Sequence, residues 1–212
     1  MSSPATPSAK TSVLGLVAGV VVLALLVVFA VLLPTTVDGS AGAEEPIGLP
    51  DTLPGGYTAS DLDEAFAEQY DAEQAGVVAD RESASREHTD EVLAEVYDHA
   101  AETRVYASED LSTAVSVQAF RAPGGAFAPE RISEEDAAAS GGASQELVRE
   151  GDAVCIVQRA AADPTAGASQ GDTPSYVSCQ RSEDDLTVQA AAGAMTPEDL
   201  VALVDAAWDA VA

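Results

Sequence analysis

Lysine is nearly absent from this 212-residue chain, and asparagine is wholly absent. The single lysine, Lys10, stands before a long apolar run, so everything after that run lacks an amine side chain. Schiff-base chemistry, a Ser–Lys dyad and a phosphate-loop lysine are thereby excluded from the rest of the chain. Without asparagine there is neither a Cys–His–Asn triad nor an acceptor for N-linked glycan. Positive charge is scarce in general: nine Lys and Arg stand against 36 Asp and Glu, for a formal net charge of −27. All the acids follow the apolar run. So negative a surface repels nucleic acid and anionic lipid, and no nucleic-acid partner is expected. Neither an EF-hand loop, a CxxC pair, an HExxH helix nor a glycine-rich phosphate loop occurs, and no cofactor is expected.

The apolar run itself, Val13 to Leu33, holds 21 residues without a charged or polar side chain and is closed by Pro34. As a helix it spans about 31 Å, the depth of a bilayer core. Lys10 and the α-amino group lie on one side of it, and Asp38, Glu44 and Glu45 on the other. Positive flanks stay in the cytoplasm, so the bulk of the chain is expected outside. The expectation is a single-pass protein of the cell membrane: a cytoplasmic tail at 1–12, a transmembrane helix at 13–33, a flexible linker at 34–56 and an extracytoplasmic domain at 57–212. Ala41-Gly42-Ala43 fits a signal cleavage site, with the cut after Ala43. The run exceeds the about 7–15 apolar residues of a signal peptide, which favours an uncleaved signal-anchor. Gly15 and Gly19 form a GxxxG pair through which two such helices could make a homodimer.

Beyond the linker the pattern predicts an α+β domain. Ser60 caps a first helix with Leu62, Phe66 and Tyr70 on one face, ending near Gly76; Thr89 caps a second with Val92, Leu93, Val96, Tyr97 and Ala100. The period then changes from 3.6 to 2. Arg104–Ala107, Ala114–Arg121, Gln145–Arg149, Ala153–Arg159, Tyr176–Arg181 and Leu186–Ala190 read as about six antiparallel strands, with Gly151-Asp152 as a hairpin turn. Thr196-Pro197-Glu198-Asp199 opens a closing amphipathic helix, whose Leu200, Leu203, Val204, Ala207, Trp208 and Val211 face the sheet while Asp205 and Asp209 point away. The helices are expected on one face of the sheet.

Three groups of residues invite chemistry. Cys155 and Cys179, the only cysteines, lie in adjacent predicted strands; pairing Val157 with Val177 sets them opposite each other on one face, so a structural disulfide is expected. The alternative, a thiolate nucleophile as in sortases, lacks the TLxTC strand and a His in a loop. Gly167-Ala168-Ser169-Gln170-Gly171 matches GxSxG, but no His follows it to complete a triad. His88 and His99 have acids at helical spacing, of which His99 with Glu95 and Glu102 is the candidate metal set.

The single anchor, the single cysteine pair, the lysine-poor usage rich in Ala, Val, Asp and Glu, and the Thr196-Pro197-Glu198-Asp199 helix start resemble small single-pass membrane-anchored envelope proteins of actinobacteria. That resemblance implies a location and no mechanism. Three functions follow as expectations: a non-catalytic envelope module that binds a protein partner or a ligand; a metal-assisted hydrolase using His99, Glu95 and Glu102; and a sensory or regulatory subunit acting through a membrane partner.

Overall fold

The computed structural model describes residues 46–129, 144–159 and 174–212. The segment 13–33 with Gly15 and Gly19, the Ala41–Ala43 pattern and the GxSxG match at 167–171 lie outside the described residues. Among the described residues no helix is long and apolar enough to cross a membrane.

The domain is α+β, with two α-helices and an antiparallel sheet of eight strands among the described residues. In chain order these are β1 (Thr52–Leu53), β2 (Tyr57–Ala59), a 3₁₀ turn at Asp63–Phe66, α1 (Ala72–Tyr97), β3 (Ala101–Ser108), β4 (Ala114–Phe120), β5 (Ser144–Glu150), β6 (Ala153–Arg159), β7 (Tyr176–Glu183), β8 (Leu186–Ala192) and α2 (Pro197–Val211). The spatial order β1-β2-β3-β4-β8-β7-β6-β5 joins two four-stranded meanders along β4 and β8. All six expected strands are present, and Gly151-Asp152 makes the β5–β6 turn, with Gly151 at φ 56°. The short strands β1 and β2 were not legible as a period, because two or three residues cannot establish one.

Directly paired residues of an antiparallel sheet share a face, so the register sorts the side chains. One face carries Tyr106, Val115, Val117, Val188, Ala190, Val177, Cys179, Cys155 and Val157, all buried, and α2 lies on it with Leu200, Val204, Ala207 and Trp208 buried. The expected placement of α2 holds. Its N-terminus is built as read: Pro197 stands in the first turn and the Thr196 hydroxyl accepts from Asp199 N–H at 3.2 Å. Asp205 does not simply point away, since it pairs with Arg181 at 2.8 Å, and that guanidinium sits 4.4 Å from the centre of the Trp208 ring.

Three expectations are corrected. First, the helix expected from Ser60 to Gly76 holds only the 3₁₀ turn at Asp63–Phe66 before Ala72, and a single 26-residue helix, α1, runs from there through Gly76 to Tyr97, capped by Asp71 through Gln74 N–H and ended by Asp98 in the left-handed region at φ 57°. The polar stretch from Asp80 to Glu87 has no Gly or Pro, and half of it is Arg and Glu, both good helix formers, so it propagates helix despite lacking an apolar stripe. Ser60 therefore caps nothing; it is buried and donates to Val105 O, while Thr89 donates to Ser85 O in mid-helix. Second, α1 packs on the face opposite α2: its Tyr97 meets Phe120 edge-on at 5.7 Å and its Asp90 binds Thr103. Third, residues 46–56 are not a tether. Leu49 and Leu53 are buried in the main core, so the folded unit begins before Tyr57.

Candidate functional site

The expected disulfide is present. Cys155 and Cys179 face each other in register on β6 and β7, with Val157 opposite Val177 as read, and both cysteines are fully buried beneath α2. Such a pair is a staple of the core and offers no accessible thiol.

His99, Glu95 and Glu102 are not brought together as a metal site; among the described residues no three of His, Cys, Asp and Glu are gathered so as to hold an ion. α1 stops at Tyr97, so His99 lies beyond the left-handed cap and does not continue the helical face of Glu95. His88 is exposed on α1. Glu102 serves another purpose. Its carboxylate accepts the Leu49 N–H at 3.1 Å and lies 3.4 Å from Arg86, which also reaches Asp61 at 3.3 Å. Arg104 pairs with Asp61 at 2.8 Å and with Asp51 at 2.9 Å and donates to Leu49 O; the Tyr106 hydroxyl donates to Pro50 O at 2.7 Å. Three alternate residues of β3 thus grip the backbone of residues 49–50, and Asp90 accepts from both the backbone N–H and the hydroxyl of Thr103 at 2.7 Å. This network is a clasp joining the start of the domain, α1 and the edge of the sheet. Burial holds the carboxyls of Glu102 and Asp90 above their ordinary range, and burial drives the Tyr106 phenol well above its own.

The other face of the sheet has a different chemistry. From β3 to β6 its side chains are Ala101, Thr103, Val105 and Ala107, then Ala114, Ser116, Gln118 and Phe120, then Thr187, Gln189 and Ala191, then Tyr176, Ser178, Gln180 and Ser182, and finally Val154, Ile156 and Gln158. None is charged, in a chain with 36 acidic residues. Register puts Gln118, Gln189 and Gln180 side by side across β4, β8 and β7, forming a row of three amides.

Residues 121–127 cross this face as a strap. Thr187 Oγ1 donates to Ala122 O at 2.8 Å, Gly124 N–H donates to Ser182 Oγ at 2.8 Å and Gln180 Nε2 donates to Gly125 O at 3.2 Å. Between the strap and the last turns of α1 lies a groove of about 370 Å³, lined by Leu93, Tyr97, Phe120, Phe127 and the three glutamines. A smaller hollow of about 160 Å³ continues it over Ser116, Ser178 and Tyr176, sharing Gln118, Gln189 and Phe127. Among the described residues no charged side chain lines either one. Gln189 Nε2 donates to Gln180 Oε1 at 2.9 Å, so two of the three amides are tied to the strap, Gln180 directly and Gln189 through it. Among the described residues the Gln118 amide has no hydrogen-bond partner.

Comparison with protein-family models, with curated proteins and with solved structures finds no match. The reading of this chain rests on its own residues. Those of the groove were missed because no catalytic or ligand-binding motif contains them. A signal existed: the polar positions of three strands read Ser116 and Gln118, Ser178 and Gln180, Thr187 and Gln189, without a single charge.

Proposed function

We propose that this chain is a membrane-anchored, non-catalytic binding module of the cell envelope, whose ligand lies in the uncharged groove between α1, the 121–127 strap and the β4–β8–β7 surface. The carrying observation is the neutral, amide- and aromatic-lined groove in a strongly acidic chain. Its volume falls within the about 300–1,000 Å³ of small-molecule sites, and apolar walls with a few convergent polar groups are their usual composition. The apolar run 13–33 and the charge difference across it support the anchor and the outward orientation. The Cys155–Cys179 disulfide is consistent with an oxidising compartment. A catalytic reading has less to stand on, because among the described residues the groove is lined by no His, acid or serine–base pair that could move a proton.

The location is tested by a reporter fused after Ala212, expected to be active only outside the cytoplasm; activity inside would refute it. The site is tested by binding of the full chain, held in lipid nanodiscs, to an isolated cell-wall fraction. Gln118→Leu should weaken that binding at least about tenfold, the loss of one or two hydrogen bonds, while Asp209→Ala on the far side of α2 should leave it unchanged. Equal binding by all three proteins would place the ligand elsewhere.

A further inference from the structure

The chemistry of the lining narrows the ligand. We propose that the groove takes a neutral, hydroxyl-rich ligand, a stretch of uncharged glycan; this rests on the reading of the groove as the binding site and adds the class of its occupant. An anionic ligand would find no countercharge among the described residues, which place no Arg or Lys in the groove walls, and it would approach a chain of net charge −27. A cation would find no carboxylate among the described residues of the walls either. A lipid chain or other wholly apolar ligand would strip water from the Gln118 and Gln189 amides without replacing its hydrogen bonds.

An extended peptide is disfavoured by topology. Peptides that add to sheets bond to an exposed strand edge, whereas this groove lies over β4, β8 and β7, which are interior strands paired on both sides.

Hydroxyl groups meet what remains. The donor chain running from Gln189 Nε2 to Gln180 Oε1, and from Gln180 Nε2 to Gly125 O, uses one donor nitrogen on each of two glutamines. It leaves Gln189 Oε1 as an acceptor beside Gln118, whose amide keeps both its donor and its acceptor. Donors and acceptors on register-paired residues suit vicinal hydroxyls, each of which donates and accepts. Tyr97, Phe120 and Phe127 line the same groove, and their rings can take the C–H faces of a sugar while the amides take its edge.

The test is calorimetric titration of the full chain in nanodiscs with maltohexaose, isomaltohexaose, cellohexaose and mannohexaose, beside hexagalacturonate as the charged counterpart and a capped Gly-Ser-Ala hexapeptide. At least one neutral oligosaccharide should bind and compete with the cell-wall fraction, hexagalacturonate should not, and Gln118→Leu and Phe127→Ala should each weaken binding at least about tenfold. Gln118→Leu keeps volume, so a groove that simply prefers apolar matter would bind its ligand as well or better. Oligosaccharide binding unaffected by either substitution overturns the proposal, as does binding of hexagalacturonate or the hexapeptide alone. If none of the four neutral oligosaccharides binds while wall binding still depends on Gln118, the glycan assignment falls and the groove remains the site. If wall binding ignores Gln118 as well, both readings fall together.

Discussion

A Cβ built on Gly124 would fall 2.6 Å from both Cβ and Oγ of Ser182, because the strap comes close enough there for the Gly124 N–H to donate to that hydroxyl. Any larger residue must push the strap off β7 and open the groove wall. Gly124→Ala should therefore weaken wall binding while costing about 1–3 kcal/mol of stability, the usual range for overpacking. Binding and thermal melting measured on one preparation check both halves; unchanged binding would mean that the strap does not shape the site. Glu102 and Asp90 carry a pH dependence whose sign follows from burial. Their folded carboxyls are held above the ordinary value, so over the range between the two the folded domain keeps protons that the unfolded chain has released. That contribution is present at low pH and is lost as pH rises through the folded values. The self-repulsion of a chain at −27 acts in the same direction. The melting temperature should fall as pH rises from the ordinary carboxylate value through the folded ones, and Glu102→Gln should flatten the fall. A profile that is as steep in the variant would remove Glu102 from the account.

Of the two helices, α2 bears the greater share of the core. Seven of its residues are buried, against only Ala75 and Ala79 on the much longer α1. Trp208 is nearly covered and is flanked by Arg181, which Asp205 holds in place. Trp208→Ala should cost about 3–5 kcal/mol, a large share of a domain's margin, and Asp209→Ala under about 0.5 kcal/mol. Chemical denaturation reads both, and an unmoved midpoint for Trp208→Ala would make α2 a loosely attached helix. The contrast between the helices also explains what was legible in the sequence. α2, the six longer strands, the Gly151 turn and the Cys155–Cys179 register all announce themselves through a period or a fixed partner, and all are present. α1 buries too little to show an apolar stripe along its middle, so its unity was hidden and two caps were read where Asp71 alone serves. β1 and β2 were hidden for a different reason: residues 49–51 are held by side chains of β3 that are distant in sequence, a tertiary fact with no local period. The groove was legible only in hindsight, as neutrality in strands where charge was expected.

At the scale of the whole molecule the sheet divides the domain into two unlike halves. One face, under α2, holds the hydrophobic core and the disulfide; the other, under α1 and the strap, holds a groove whose described lining is uncharged. The account makes the second half the working half. It is tested most directly by photo-cross-linking in intact cells, with a benzophenone amino acid placed in full-length protein at Ser178 or Gln189 on the groove side, or at Asp209 or Ala202 on α2. The account predicts that the groove-side positions give covalent adducts with envelope material and the α2 positions do not. Adducts confined to α2, or none from Ser178 and Gln189, would contradict it.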